Sequence, residues 1–198
     1  MNARRRRVLV AGAGVAAAAL SVRLARAAAS TEPADEAAWS ALQAGGVLIM
    51  RHAQTEPGVG DPPGFRLDDC ATQRNLSPAG RAQAAAVGPA LAKRGVRVDR
   101  IESSAWCRCM DTARLAFPGA PVHVNAALNS FFEDRRTGPA QTQALRARVL
   151  AWRGPGVLVL VTHQVNIGAL TGRPVAVGEG VVLRTAGNEI QVVGAVQF

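Results

Sequence analysis

The sequence predicts an α/β chain: a three-layer sandwich with a largely parallel central sheet and helices on both faces. Apolar runs of strand length alternate with longer segments that bear an apolar stripe at helical spacing, the pattern of parallel strands joined by covering helices. Gly/Pro punctuation such as Gly154-Pro155-Gly156 separates the two kinds of segment. Two of the three clearest strands, "VLIMRH" and "VLVLVTH", each deliver a histidine, His52 and His163, at the carboxyl end of an apolar run.

From about Thr31 the chain takes up this alternation, and Val47 to Met50 is the first run of strand length. Ser77 to Gly95 reads as a helix, with Ser77 as N-cap, Pro78 in the first turn and Gly95 closing it. Ala82, Ala86, Val87, Ala90 and Leu91 form its core-facing stripe, and Gly88-Pro89 is expected to kink or split it. Val98 to Ser103 is a second strand, Ala105 to Phe117 a helix and Pro121 to Val124 a further strand. Ala140 to Trp152 is helical, Val157 to His163 is a strand, and a short helix follows through Leu170. Val181 to Arg184 and Ile190 to Val196 close the chain as paired strands around the Gly187-Asn188 turn. No internal repeat or long linker divides residues 28–198, which are expected to form a single domain.

Residues 1–27 read as an export signal. A block of arginines precedes the uncharged run Val8 to Val22, and Ala25-Arg26-Ala27 offers a small-x-small cleavage site. Arg5-Arg6-Arg7-Val8-Leu9-Val10 is compatible with twin-arginine export, although it lacks the aromatic residue usual after the arginine pair. The apolar run of 15 residues is short for a membrane span of ~20 residues. No stable span is therefore expected after cleavage, and the mature protein is expected in the periplasm or outside the cell. Gly12, Gly14 and Ala17 imitate a dinucleotide-binding fingerprint, but no βαβ unit with a following acid surrounds them.

Composition narrows the function classes. With 198 residues and 48% hydrophobic content, the chain is long and apolar enough for a packed core. The formal charge of +9 is concentrated at one end. Arg4, Arg5, Arg6, Arg7, Arg23 and Arg26 lie in residues 1–28 without a single acid, leaving 17 basic against 14 acidic residues elsewhere. That balance of about +3 argues against a nucleic-acid partner. The three histidines are scattered and no Cys-x-x-Cys occurs, so no metal site and no cofactor is expected. A cysteine-nucleophile phosphatase loop is excluded, because Leu76, Ala113 and Leu115 stand where Cys70, Cys107 and Cys109 would each need an arginine.

In a parallel sheet, ligands gather at the carboxyl ends of the strands. His52, His163, Arg51 and Arg108, the last from the segment after Val98 to Ser103, can then converge above one edge. Two arginines and two imidazoles form a receptor for a tetrahedral dianion, since guanidinium forks match phosphate oxygens bidentately.

Four blocks of the sequence resemble the histidine phosphatase superfamily, the phosphoglycerate-mutase-like proteins. Arg51-His52-Ala53 is similar to the family's Arg-His-Gly/Ala motif, with Thr55 at the Ser/Thr position after it. "RNLSPAGRAQA", Arg74 to Ala84, resembles the Leu-Ser/Thr-x-x-Gly-x-x-Gln-Ala helix start. "SSAWCRCMDTA", Ser103 to Ala113, resembles Ser-Pro-x-x-Arg-x-x-x-Thr-Ala with Ala105 in place of the proline. "VTHQVNIGALTG", Val161 to Gly172, is similar to the second-histidine motif. The blocks occur in family order over roughly residues 45–172.

The resemblance implies an exported, metal-independent phosphatase that hydrolyses phosphomonoesters through a phosphohistidine on His52. Arg51, Arg108 and a protonated His163 would neutralise the phosphoryl oxygens, and Thr55 would donate its hydroxyl to the same group. The partner would be a small-molecule or macromolecular phosphoester. The general acid is less plain, because Leu128-Asn129-Ser130 puts Ser130 where many relatives carry a glutamate. Glu133 and Asp134 are the candidate acids, set against an ordinary pairing with Arg135 and Arg136 on a solvated loop. A phosphomutase and a catalytically silent phospho-ligand-binding protein of the same fold are the alternatives.

In an exporting context, a disulfide from Cys70 to Cys107 or to Cys109 would tie the first long loop to the Arg108 segment. The long loop Thr55 to Gln73, with Phe65, Arg66, Asp68 and Asp69, is placed to shape an entrance. Trp106 is expected to wall the pocket, and Trp39 and Trp152 to pack on the core.

Overall fold

The computed structural model describes residues 34–198, so the expected export segment lies outside the described residues. Strands β1 (Gly46–Arg51), β2 (Val98–Ser103), β3 (Val122–Val124), β4 (Val157–Thr162), β5 (Gly180–Ala186) and β6 (Glu189–Val196) build one sheet. Their order is β3-β2-β4-β1-β5-β6. The first four run parallel, while β5 pairs antiparallel with β1 and β6 antiparallel with β5. The β5–β6 hairpin turns at Gly187, whose φ of +59° suits a residue without a Cβ.

Side-chain alternation along the strands divides the core into two faces. Leu48, Met50, Val157, Val159, Val161 and Val182 point to one face, and Val47, Ile49, Leu158, Leu160, Val181 and Leu183 to the other. Helices α1 (Ala34–Gln43), α2 (Pro78–Lys93) and α3 (Cys107–Ala116) cover the first face through Leu42, Val87, Leu91 and Ala113. Helices α4 (Gly138–Leu150) and α5 (Gln164–Thr171) cover the second through Leu145, Val149 and Ile167. The three-layer α/β sandwich expected from the sequence is thus the observed architecture. Helix α1 had no counterpart in the sequence reading, although Ala38, Ala41 and Leu42 are buried at helical spacing.

Gly88-Pro89 does not split α2, which continues unbroken from Pro78 to Lys93. Ser77 caps it by accepting from the Gly80 amide. The glycine serves packing instead. A Cβ at Gly88 would lie 2.1 Å from the Ala116 carbonyl oxygen, so its absence lets α2 and α3 touch along their backbones.

The connection from β1 to α2 is long, and a disulfide ties it down. Of the two partners open to Cys70, the structure pairs it with Cys107, at the first turn of α3, and leaves Cys109 a buried free thiol. Trp39 packs edge-on against Phe198, and Trp152 donates its indole N–H to the Gly156 carbonyl.

Two stability measurements follow. Gly88→Ala is expected to lower stability by about 1–3 kcal/mol through the forced α2–α3 separation; an unchanged urea midpoint would contradict that packing. Reduction of Cys70–Cys107, or replacement of both by serine, should cost about 2–4 kcal/mol, because the bond closes a loop with a sequence separation of 37. Equal melting temperatures with and without reductant would show that the loop needs no tether.

Candidate active site

The sheet register brings the two histidines together. Arg51 of β1 stands opposite Thr162 of β4, so His52 and His163 leave the same sheet edge side by side. The His52 amide donates to the Thr162 carbonyl at 3.0 Å, and the two imidazole centroids are 5.5 Å apart. Strand β2 ends one step behind: Ser103 opposes Val161, and the Ser104 amide donates to the Val161 carbonyl.

Nδ1 of His52 lies 2.8 Å from the Ala53 carbonyl oxygen. A carbonyl only accepts, so Nδ1 carries the proton and Nε2 keeps its lone pair. Burial is the main cause that lowers the His52 pKa from its ordinary 6.5 to about 3; the Ala53 carbonyl opposes it, and Arg108, Arg51 and Arg74 add to it. The ring is therefore neutral at physiological pH.

Side chains of the motif blocks clamp the backbone just after His52. The Ala53 amide donates to Thr112 Oγ1 at 3.0 Å, and the Gln54 amide to Gln83 Oε1 at 3.1 Å. The Gln54 carbonyl accepts from the Ser77 amide at 3.1 Å. Gly80 completes the clamp, since a Cβ there would fall 1.7 Å from that same carbonyl oxygen. Sequence spacing identified these residues only as a helix start and a motif. Their physical task is to fix the peptide that holds the His52 tautomer.

Five arginines line the cavity of about 800 Å³ that contains both histidines, and three of them, Arg51, Arg74 and Arg108, carry charges that act on both rings. Burial and then the charges of Arg74 and Arg108 lower the Arg51 pKa, the signature of like charges crowded away from water. The Nε atoms of Arg51 and Arg108 are buried without a hydrogen-bond partner. Such donors suit an oxyanion, which accepts several hydrogen bonds at once. Arg74 had no role in the sequence reading. It reaches the cavity because Thr55 Oγ1 and the Gly60 carbonyl accept from its guanidinium.

Thr55 itself is not among the cavity's lining residues; it supports Arg74 from behind. Asp134 lines the cavity too, caps the turn at Arg135–Thr137 and is bound by Arg136 through both carboxylate oxygens. Glu133 borders the cavity mouth with Ser130 and Phe132. Phe65 and Trp106 wall the opposite side, whereas Arg66 and Asp69 pair with each other. Asp61, from the same long loop, is the residue that sequence spacing missed: its carboxylate binds Arg108 through both oxygens.

Nε2 of His163 lies 2.9 Å from Ser104 Oγ and 3.4 Å from Cys109 Sγ. Asn129 Oδ1 accepts from both Ser104 Oγ and the Ala105 amide, anchoring this contact. The protonated His163 expected at a phosphoryl group is not the form that the protein's own groups favour. Burial first, then His52 and the three arginines, pushes its pKa well below 6.5 and favours the neutral ring. A dianion in the cavity would reverse the coulombic part of that effect. Cys109 is inert behind it, its thiol pushed up to about 12 chiefly by burial.

Comparison with known proteins gives this arrangement a family. The model of the histidine phosphatase superfamily (branch 1) matches residues 47–193. No curated protein matches the sequence. Among solved structures, a mycobacterial glucosyl-3-phosphoglycerate phosphatase complexed with VO3 is 21% identical, with a TM-score of 0.55, over 74% of this chain and 96% of its own. A mutant phosphoserine phosphatase from Entamoeba histolytica, in complex with phosphoserine, is 15% identical with a TM-score of 0.55, over 75% of this chain and 95% of its own. The protein histidine phosphatase SixA complexed with tungstate is 15% identical with a TM-score of 0.53, over 76% of this chain and 96% of its own. The matched span runs from β1 into β6 and holds every residue of the cavity described above, and the chain belongs to the histidine phosphatase superfamily, branch 1.

Proposed function

We propose that this protein is an exported phosphatase that hydrolyses phosphomonoesters through a phosphohistidine on Nε2 of His52, without a metal ion. One observation carries the reading: the Nδ1–H of His52 is committed to the Ala53 carbonyl, which leaves Nε2 as a neutral nucleophile in a cavity lined by Arg51, Arg74 and Arg108 among its arginines. Phosphoryl transfer depends mainly on positioning and on neutralising the equatorial oxygens. Arg51, Arg74 and Arg108 supply that charge, and the first turn of α5, beginning at Gln164, adds its positive end to the same cavity. That structural neighbours are complexed with VO3, tungstate and phosphoserine supports an oxyanion ligand for this fold.

In the first step, Nε2 attacks phosphorus as the bond to the leaving oxygen breaks. Water then attacks the phosphohistidine, the P–N bond breaks, and inorganic phosphate leaves. Phosphorylated small molecules and phosphoproteins are the substrate class. Export is supported by the arginine-headed N-terminal segment and by the Cys70–Cys107 disulfide, a bond that persists in oxidising compartments.

Hydrolysis of p-nitrophenyl phosphate by residues 28–198 in the presence of EDTA tests the reading. Turnover that is indifferent to the chelator and falls at least about 10³-fold in His52→Ala is expected; a folded wild type that binds phosphate without turnover would make it a phospho-ligand-binding protein. Acidity supplies a second test. The unfolded chain protonates His52 near 6.5, whereas the native ring resists protonation until about pH 3. Stability should therefore fall as pH drops below about 6.5, the loss due to this ring being complete near 3. Urea unfolding at pH 7 and pH 5 should show a smaller drop for His52→Ala than for wild type; equal drops would mean that His52 is not held neutral.

A further inference from the structure

A carboxylate already occupies the guanidinium fork that an incoming phosphoryl group would use. Asp61 Oδ1 accepts from Arg108 Nη1 at 2.7 Å and Oδ2 from Nη2 at 3.0 Å. The arginine and aspartate side chains are 5% and 4% exposed, so this ion pair is nearly closed to water. Two neutral donors hold the carboxylate independently of Arg108: the Trp106 indole N–H bonds Oδ2 at 3.1 Å, and the Arg74 amide bonds Oδ1 at 3.0 Å. Gly60, with φ of +71°, turns the loop immediately before Asp61.

Charged and titratable groups reach the cavity of Asp61 from several elements. Arg108 comes from α3 and Arg74 from the segment before α2; Glu133 approaches Gly60, and Arg51, His52, His163, Asp134, Arg135 and Arg173 share the cavity. Burial is the largest influence on Asp61 and opposes its ionisation; the hydrogen bonds and charge of Arg108, with the Arg74 amide and the Trp106 indole, together outweigh it and hold the carboxyl below its ordinary range. A phosphate dianion beside a buried carboxylate places two like charges in one site, and one shared proton resolves the conflict. When the dianion draws the Arg108 fork to itself, Asp61 loses the strongest of the partners that keep it charged, while burial still opposes its charge. Trp106 and the Arg74 amide still hold it in place.

We infer that Asp61 is the proton donor for the leaving oxygen, exchanging its bond to Arg108 for a proton as the phosphoester binds. This assignment rests on the phosphatase reading above. The step balances: solvent supplies a proton to Asp61, and the P–O bond breaks as the P–N bond to His52 forms. The Asp61 proton passes to the departing oxygen, which leaves as a neutral alcohol. The regenerated carboxylate then takes a proton from the water that attacks the phosphohistidine, and inorganic phosphate forms. The other carboxylates are less suited. Asp134 and Glu133 also line the cavity, but Arg136 binds Asp134 through both carboxylate oxygens and Glu133 is exposed to solvent.

A proton donor matters most for poor leaving groups. Wild type, Asp61→Asn and Glu133→Gln are compared on p-nitrophenyl phosphate and glycerol phosphate, with circular dichroism to check folding. Asp61→Asn should lose about 10²-fold or more in kcat/KM on glycerol phosphate and less than about tenfold on the aryl ester. Equal losses on both, no loss on either, or the selective loss appearing in Glu133→Gln instead, would overturn the assignment while leaving the phosphatase reading intact. A wild type that turns over neither ester removes both. Should Asp61→Asn fail to fold, the wild type alone decides. A shallow dependence of kcat/KM on leaving-group basicity across a series of aryl and alkyl phosphates is expected, and a steep one overturns the assignment.

Discussion

The hydrogen bond from Nδ1 of His52 to the Ala53 carbonyl is the constraint on which the rest of this structure depends. It fixes a tautomer as well as a ring position, and the tautomer decides which nitrogen is a nucleophile. A bond between neighbouring residues is only as rigid as the peptide that bears it. Thr112 from α3 takes the Ala53 amide, Gln83 from α2 takes the Gln54 amide, and the Ser77 amide takes the Gln54 carbonyl. Gly80 and Gly88 make these approaches possible, since each lacks the Cβ that would hold α2 away from Gln54 or from Ala116. The fold and the site share the same contacts.

Charge is arranged around that fixed point against its own electrostatic preference. Arg51, Arg74 and Arg108 border one cavity, and burial together with mutual repulsion depresses the affinity of Arg51 for its proton. The imidazoles respond by staying neutral, which suits His52 as a nucleophile and leaves His163 able to gain charge when an anion arrives. Among the described residues, Asp61 supplies the carboxylate bonded into this cluster. Its position behind Gly60, in a loop that the Cys70–Cys107 bond ties to α3, makes the long β1–α2 connection part of the chemistry.

Most of the fold was legible because periodicity records burial directly. The apolar runs at Val47 and Val157 became the central parallel pair, and their shared register places His52 beside His163. Ser77 signalled the start of α2 through its capping hydroxyl. Helix α1 was missed because its alanines continue the composition of the preceding segment without a sharp start. Gly88 misled, since a glycine before a proline carries the same letters whether the helix breaks or a neighbour's backbone must pass. Thr55 was assigned to the anion by its motif position, while the folded chain turns it toward Arg74. Asp61 and Arg74 lie in irregular segments, where side-chain direction is set by long-range pairing that spacing does not encode. Asp134 illustrates the converse: its pairing with Arg136, two residues away, is local and was readable.

The account stands or falls on which atom carries the phosphoryl group. Rapid acid-free quenching during turnover, followed by phosphorus NMR and peptide mass mapping, reads this directly. One phosphoryl group on Nε2 of His52, stable to base and labile to acid, is the predicted result. Phosphorylation at Nδ1, at His163 or at no residue while turnover continues would contradict it.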